Sequence, residues 1–159
     1  MKTLSLSTMT LLFLSLCTLC QMATFAQERK VTMSKLPPAV RKTIEEQTKG
    51  ATIKGISSEK ENGKTQYEVE TLVNGKTRDM IINADGSVDE VEDQVDLSSL
   101  SPEVQKTITQ HAGKSKILVV EALSKGGTLQ AYEIGIRNSA GKRSEFQVNP
   151  DGTLVTKKK

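Results

Sequence analysis

The residues of this sequence that could act as nucleophiles or bases do not form a catalytic arrangement. His111 is the single histidine of the 159-residue chain, and no nucleophile motif lies near it. Ser57 and Lys60 match the Ser-x-x-Lys spacing of penicillin-recognising enzymes, in which the serine is the nucleophile. The same spacing recurs at Ser139 and Lys142, and neither match is accompanied by the partner motifs of those enzymes. The sequence therefore predicts a protein that is not an enzyme, with a structural role for His111 at the surface.

Calcium binding is a second chemistry that the residue types suggest. Residues 83–86, together with Glu92, have part of the spacing of a calcium-binding loop. Ile81 occupies the first ligand position, however, where an acidic residue belongs. We therefore expect a hairpin turn at residues 83–86, and we predict no metal site and no cofactor.

Three acidic residues give the only indication of a binding surface at the level of single side chains: Glu68, Glu70 and Asp79. The hairpin predicted below places Glu70 opposite Asp79, and directly opposed like charges are unfavourable in a sheet. A cation, a nearby lysine or a binding partner would relieve the repulsion. An irregular register of the two strands would explain the pair equally well.

Acidic residues are concentrated in the middle of the chain. Eight of them, and no lysine or arginine, lie between Asp79 and Glu103. Residues 27–96 carry 11 basic and 14 acidic side chains, whereas residues 97–159 carry 10 and 5. The segment is either an acidic surface that binds Ca²⁺ or a basic partner, or a solvated linker between Val88 and Leu97 that the basic second half attracts.

The first 26 residues are typical of a secretory signal peptide. Lys2 precedes a long uncharged stretch, and Ala26 follows the small residues expected at a cleavage site. A membrane anchor is the alternative, because the uncharged stretch is long enough to span a bilayer. Cleavage after Ala26 would remove both cysteines, Cys17 and Cys20. We expect a periplasmic or secreted protein that has no membrane segment after cleavage.

The rest of the chain consists of one pattern written twice. An offset of 64 residues aligns Leu36 with Leu100, and small slips later align the two Asp-Gly pairs near residues 85 and 151. Each copy begins with apolar residues four apart, which predicts a short helix that starts at a proline and ends near a glycine. The first helix is expected between Pro38 and Gly50, and the second between Pro102 and Gly113. Ser101 is expected to cap the start of the second helix, whereas Pro37, at the corresponding position of the first helix, cannot act as a cap.

Alternating apolar and polar residues follow each helix and predict strands. Asn74-Gly75 is the preferred two-residue hairpin turn. It would pair Val69 with Met80 and Tyr67 with Ile82. Short strands are expected after the Asp-Gly turns, at residues 88–91 and 153–155.

These patterns predict an α+β protein of two tandem units, residues 27–95 and 96–159. In each unit an N-terminal helix packs on an antiparallel sheet of three or four strands. The two units are expected to pack together, because about 60 residues alone are only marginally stable. Joined sheets and facing helices are both compatible with the sequence.

The repeated pattern runs from a Leu-Pro or Leu-Ser pair through Pro-x-Val-x-Lys-Thr-Ile to Tyr-Glu and the Gly-Lys and Asp-Gly turns. It resembles the PepSY and PepSY-like domains, whose fold is similar to that of β-lactamase-inhibitor proteins. The resemblance covers nearly all of the chain after residue 26. It implies a secreted, non-catalytic bacterial module that binds or restrains a peptidase, although no peptidase domain accompanies the repeats here.

The sequence therefore favours a secreted binding module whose partner is a protein or peptide of the cell envelope. A small-ligand or Ca²⁺-responsive envelope protein that uses the acidic segment 79–103 is the alternative. Nucleic-acid binding is not expected, because basic and acidic residues number 22 and 19 and aromatic residues make up only 3%.

Overall fold

The computed structural model describes residues 29–61 and 63–156. The predicted signal peptide, Cys17, Cys20 and residues 157–159 lie outside the described residues. In chain order the elements are β1 (Arg29–Lys30), α1 (Pro38–Gln47), β2 (Thr52–Glu61), β3 (Lys64–Val73), β4 (Lys76–Asn83), β5 (Val88–Gln94), α2 (Pro102–Ala112), β6 (Lys116–Lys125), β7 (Thr128–Arg137) and β8 (Arg143–Val148). In the described part of the chain, neither helix is long and apolar enough to cross a membrane.

All eight strands belong to one antiparallel sheet, and each strand pairs with its neighbours in sequence. β5 and β6 connect the two halves, with Glu90 opposite Lys125 and Gln94 opposite Glu121. Of the two arrangements that the sequence left open, joined sheets and facing helices, the structure has the joined sheet, and its eight strands are not divided into sheets of three or four. The physical reason is the length of β5, which extends to Gln94 rather than ending at residue 91. Its backbone donors and acceptors need partners, and β6 supplies them.

The last predicted strand, at residues 153–155, is reduced to a single bridge between Val148 and Leu154. Thr153 belongs to the preceding turn, because both its N–H and its hydroxyl donate to Asp151 Oδ1, at 2.9 and 2.7 Å. Only the two residues after it therefore reach β8. The Val155 N–H donates to the carbonyl of Gln147 at 3.0 Å.

Both helices begin at the predicted prolines, but only one has a side-chain cap. Ser101 Oγ accepts a hydrogen bond from the Val104 N–H at 3.3 Å, whereas Pro37 makes no side-chain bond at the start of α1. α2 ends next to Gly113, as predicted.

The end of α1 differs from the prediction by three residues, because α1 ends at Gln47 rather than near Gly50. Thr48 closes the helix instead. Its N–H and its hydroxyl both donate to the carbonyl of Ile44, at 2.9 and 2.8 Å. These bonds satisfy an acceptor at the helix end that would otherwise need another partner.

Each helix packs on its own half of the sheet and forms its own hydrophobic core. The first core consists of Leu36, Val40, Ile44, Val69, Met80 and Ile82. The second consists of Leu100, Val104, Ile108, Val120, Ile134 and Val148. The apolar positions that predicted the helices and the first hairpin are therefore the core positions.

The Asp-Gly turns hold the helices against the sheet. Thr43 Oγ1 donates to the carbonyl of Gly86 at 2.7 Å, and Thr107 Oγ1 makes the equivalent bond to Gly152 at 2.7 Å. Gly86 has φ +88°, and a Cβ there would lie 2.9 Å from the carbonyl oxygen of Ala39. Glycine is needed at this turn both for the left-handed backbone and for the close approach of α1.

The predicted hairpin at residues 74–75 is present. Asn74 and Gly75 both have positive φ, 52° and 83°, as the favoured two-residue turn requires. The pairs predicted from the alternation are both observed: Tyr67–Ile82 and Val69–Met80.

Candidate functional site

Both helices cover the same face of the sheet, and no helix of the described residues covers the opposite one. Side chains alternate between the two faces along a strand. Val69 and Met80 point into the core beneath α1, so their neighbours Glu68, Glu70 and Asp79 point away from the helices. We call this second surface the open face.

Two rows of paired residues cross the open face from β2 to β6. The first row is Ser57, Glu68, Ile81, Glu90 and Lys125, and the second is Gly55, Glu70, Asp79, Glu92 and Leu123. Adjacent strands lie about 4.8 Å apart. The three acidic residues predicted to bind a partner are therefore close together, and β5 adds two further carboxylates beside them.

The predicted opposition of Glu70 and Asp79 is observed, so an irregular register is wrong as its explanation. The nearby irregularity lies instead between β2 and β3, at Gly55. A Cβ on Gly55 would lie only 2.7 Å from Glu70 Oε2. The Glu70 side chain therefore lies over β2, in space that glycine leaves free, and this arrangement moves its charge away from Asp79 on β4.

Asp79 keeps an unfavourable environment despite this separation. Burial raises the pKa of Asp79, and the Glu70 carboxylate raises it further. The Thr71 N–H donates to Asp79 Oδ1 at 3.1 Å and partly opposes the rise. Among the described residues, no cation lies within ion-pair distance of Asp79.

A hollow of about 70 Å³ lies at the centre of the open face, lined by Glu68, Asp79, Met80, Ile81, Glu90 and Glu92. We call it the acidic hollow. Burial is the largest cause of a rise in the pKa of Glu92 to about 8, and the carboxylates of Glu133, Glu121, Glu90 and Asp79 add to it. Glu92 is therefore mainly protonated at neutral pH.

Two of these neighbours come from the second half of the chain. Thr77 Oγ1 donates to Glu121 Oε1 at 3.0 Å, and Gln147 Nε2 donates to Glu133 Oε2 at 2.7 Å. Burial also raises the pKa of Glu121, and the bond from Thr77 opposes that rise. The acidic character of the open face therefore extends across the junction of the two halves.

Lys125 borders the acidic hollow on the β6 side. Its Nζ lies 2.9 Å from Glu90 Oε2 and 3.8 Å from Asp89 Oδ2. A larger depression of about 450 Å³ continues from there over β6, β7 and β8, and Glu90 and Glu92 line both spaces. The hollow thus opens onto a broader surface rather than onto a closed cavity.

The acidic segment 79–103 does not act as one group. Asp93 pairs with Arg78 at 3.7 Å and Asp96 pairs with Lys76 at 2.8 Å, both outside the hollow. The linker interpretation is wrong for residues 88–94, because they form β5. Within residues 29–61 and 63–156, no three His, Cys, Asp or Glu side chains are arranged to hold a metal ion.

Residues 83–86 form the turn that was predicted in place of a calcium loop. Asp85 Oδ1 accepts hydrogen bonds from the N–H and the hydroxyl of Ser87, at 2.9 and 2.7 Å. Both bonds lower the pKa of Asp85, and the bond from the hydroxyl contributes more. Asp85 Oδ1 therefore stabilises the turn itself.

The candidate catalytic residues are dispersed. His111 is exposed on α2, and its ring lies 4.4 Å from that of Phe146. Ser57 and Lys60 lie three residues apart on β2, so their side chains project from opposite faces of the sheet. A serine–lysine pair cannot form from that spacing in a strand.

Sequence reasoning identified half of the acidic hollow and missed the rest. Glu90 and Glu92 are not among the predicted partner-binding residues, and Glu92 was considered only for the calcium loop, although the alternation Glu90-Val91-Glu92 is a strand signal that would place both on one face. No comparable local signal exists for Glu121 and Glu133, because they come near Glu92 only through the pairing of β5 with β6.

Residues 39–85 match the PepSY family, described as "Peptidase propeptide and YPEB domain". No curated protein matches the chain. Several solved structures share the fold at low sequence identity. A candidate periplasmic protein from Bacteroides eggerthii has a TM-score of 0.61 at 12% identity, over 76% of this chain and 86% of that one.

Two further structures are similar over the same share of the chain. A DUF2874 family protein from Bacteroides ovatus has a TM-score of 0.58 at 18% identity, over 76% of this chain and 85% of that one. A BLIP-like protein (a likeness to β-lactamase-inhibitor protein) from Bacteroides fragilis has a TM-score of 0.54 at 16% identity, over 76% and 83%. The resemblance to the PepSY family is confirmed for residues 39–85, and the chain shares its fold with a BLIP-like protein.

Proposed function

We propose that the protein is a secreted, non-enzymatic binding module of the bacterial envelope that binds another protein through the open face. The observation that carries this proposal is the placement of both helices on one side of a single eight-stranded sheet. The other side carries mostly polar residues in its two rows and has a central hollow. The likeness to candidate periplasmic proteins and the PepSY match support this assignment.

The module consists of two PepSY-like units, residues 27–95 and 96–159, joined edge to edge. The equivalent bonds from Thr43 to Gly86 and from Thr107 to Gly152 support this division, since both have the same length and anchor a helix to an Asp-Gly turn. Two separate cores, one under each helix, support it as well. Joining the units extends the open face across all eight strands.

A peptidase is the first class of partner to test. The PepSY family is named for peptidase propeptides, and a propeptide must contact the enzyme that it accompanies. Backbone and polar surface contacts need no catalytic motif, which agrees with the dispersed positions of His111, Ser57 and Lys60.

The test is retention of an envelope protein on the immobilised protein, followed by its identification and reconstitution from purified components. Ile81→Trp adds a neutral, bulky side chain at the centre of the open face, where aromatic residues suit a strand. Glu45→Trp adds the same bulk on the exposed surface of α1. We expect Ile81→Trp to abolish retention and Glu45→Trp to preserve it. Equal retention by both variants would contradict binding through the open face.

The alternative function, a Ca²⁺-responsive envelope protein, can be tested with the same purified protein. A rise in melting temperature on adding Ca²⁺, lost in Asp85→Asn and Asp89→Asn, would favour that alternative. We expect no such rise, because Asp85 bonds to Ser87 and Asp89 lies 3.8 Å from Lys125.

A further inference from the structure

β8 is an edge strand of the sheet, and the chain covers the outer side of its last two residues only. Leu154 forms a bridge with Val148, and the Val155 N–H donates to the carbonyl of Gln147 at 3.0 Å. Within the described part of the chain, no strand pairs with the outer side of the preceding stretch, Arg143–Glu145, and all of its residues are exposed. We call this stretch the free edge. Unpaired backbone donors and acceptors at such an edge are a template for another strand.

The backbone groups of Arg143 and Glu145 point away from β7. In an antiparallel sheet the N–H and the C=O of one residue face the same neighbouring strand, and this side alternates from residue to residue. The carbonyl of Gln147 faces outwards, because it accepts the bond from Val155. The N–H and C=O groups of Glu145 and Arg143, two and four residues earlier, therefore face outwards as well.

Like charges lie together at each end of the free edge. Arg143 is directly opposite Arg137 of β7, and Glu145 lines a cavity of about 300 Å³ together with Glu133. Among residues 29–61 and 63–156, neither Arg143 nor Glu145 has an opposite charge within ion-pair distance. Because opposed like charges are unfavourable in a sheet, a counter-charge from outside the chain would stabilise each end.

We propose that the free edge pairs with the free edge of a second copy of this chain, antiparallel and in the register that places Arg143 of each copy opposite Glu145 of the other. Each Arg143–Glu145 pair then exchanges both of its backbone hydrogen bonds, and opposite charges lie side by side. Ser144 of each copy meets Ser144 of the other at the two-fold axis, where a small residue avoids a clash.

The sign of the charges selects this register. A shift by one residue would place the outward-facing groups of one copy against groups of the other that face its own β7, and no bonds would form. A shift by two residues would oppose Arg143 with Arg143 or Glu145 with Glu145. Charged side chains commonly protect an edge strand from pairing. Here their signs alternate, so the edge is complementary to itself after a two-fold rotation.

This pairing goes beyond the proposed function, which needs only one copy. Side chains that are opposite one another across two strands project from the same face of the sheet. The open faces of the two copies would therefore lie on the same side of one extended sheet. Two linked binding surfaces hold a multivalent partner more tightly than a single one does.

The test is sedimentation equilibrium of the purified protein at low salt, up to about 1 mM, where we expect a reversible equilibrium of monomer and dimer. Arg143→Glu and Glu145→Arg each oppose like charges in both cross-strand pairs, so each should weaken the dimer at least about tenfold. An equimolar mixture of the two variants should dimerise again, because each introduced charge then meets its counter-charge. Glu45→Arg makes the same change of charge on α1 and should alter the dissociation constant less than about twofold.

Glu145→Pro tests the backbone pairing separately from the charges. It removes an outward-facing N–H and no donor of the ladder with β7, and edge strands tolerate proline. Glu145→Ala removes the same charge but keeps the N–H, so it should weaken the dimer less than the proline does. Equal weakening by these two variants would overturn the backbone pairing.

Two results would overturn the inference as a whole: a wild-type protein that stays monomeric at the highest concentration, or a mixture of Arg143→Glu and Glu145→Arg that stays as monomeric as either variant alone. Recovery in the mixture would also show that both variants are folded. Neither negative result would affect the proposed function, because loss of retention in Ile81→Trp tests the open face of a single copy.

Discussion

Replacing Glu92 by glutamine should stabilise the protein, and by an amount that depends on pH. In the folded protein the pKa of Glu92 is about 8, against 4.5 for an unperturbed glutamate. The folded chain therefore keeps a proton that the unfolded chain releases near pH 4.5. Between these two values the folded state binds more protons, so the stability of the wild-type protein falls as pH rises. Glutamine does not ionise and removes this fall.

The magnitude follows from the size of the shift. At about 1.4 kcal/mol per pKa unit, a rise from 4.5 to about 8 corresponds to at most about 5 kcal/mol. Glu92 is only partly buried, and solvent screening reduces this to about 2 kcal/mol. We expect the advantage of Glu92→Gln to be near zero at pH 4.5, to grow with pH until Glu92 is ionised in the folded protein, and to stay constant above that pH. With a typical m-value of about 2 kcal/mol/M in urea, the midpoint would shift by about 1 M at pH 8.

The assay is urea unfolding followed by far-ultraviolet circular dichroism, since the chain has no tryptophan. Wild type, Glu92→Gln and the exposed control Glu45→Gln are compared at pH 5, 6, 7, 8 and 9. The control should change stability by less than about 0.5 kcal/mol at every pH. A difference between wild type and Glu92→Gln that stays constant from pH 5 to 9, or a less stable Glu92→Gln at pH 9, would refute the reasoning.

Three further predictions concern the fold, and each is checked by urea unfolding unless another measurement is named. Gly86→Ala should lower the free energy of unfolding by about 3 kcal/mol and Gly75→Ala by about 1 kcal/mol. Both glycines have positive φ, but only a Cβ at Gly86 would lie 2.9 Å from the carbonyl oxygen of Ala39. Equal losses of stability in the two variants would contradict the close approach of α1. Thr43→Val and Thr107→Val should each lower the free energy of unfolding by about 1 kcal/mol. Their effects should add in the double variant, because the two hydrogen bonds lie beside separate cores. Strong non-additivity would count against two independent helix anchors. Ser101→Ala should cost about 1 kcal/mol, because it removes the side-chain cap of α2. Amide hydrogen exchange in the first turn of α2 should then become as fast as in the first turn of α1, which Pro37 leaves without a side-chain cap. Unchanged exchange would show that the cap contributes little.

Local patterns predicted the elements well wherever neighbouring residues decide the structure. The apolar spacing of Val40 and Ile44 identified the buried side of α1, and the prolines fixed where both helices begin. Asn74-Gly75 fixed the register of β3 with β4, because only one alignment places the apolar residues of both strands on the same face. The error at the end of α1 arose because Thr48, rather than the later glycine, satisfies the carbonyl of Ile44.

The candidate site was predicted only as far as one hairpin reaches. Glu68, Glu70 and Asp79 could be grouped because the turn that brings them together is local. The way in which Glu70 and Asp79 tolerate each other depends on Gly55 of another strand, where a missing Cβ leaves room for the Glu70 carboxylate. No spacing in the sequence indicates that contact.

The sequence by itself determined the repeated helix-and-strand pattern, the PepSY resemblance and the positions of the core residues, because these depend on side-chain type and period. Tertiary structure decided that the two halves share one sheet through β5 and β6. Burial is the main cause of the rise in the pKa of Glu92 to about 8, and that pairing adds the carboxylates of Glu133 and Glu121 to it. The physical reason is that burial and electrostatic repulsion act over distances in space, and residues 92 and 133 become neighbours only when the edge of one half pairs with the edge of the other.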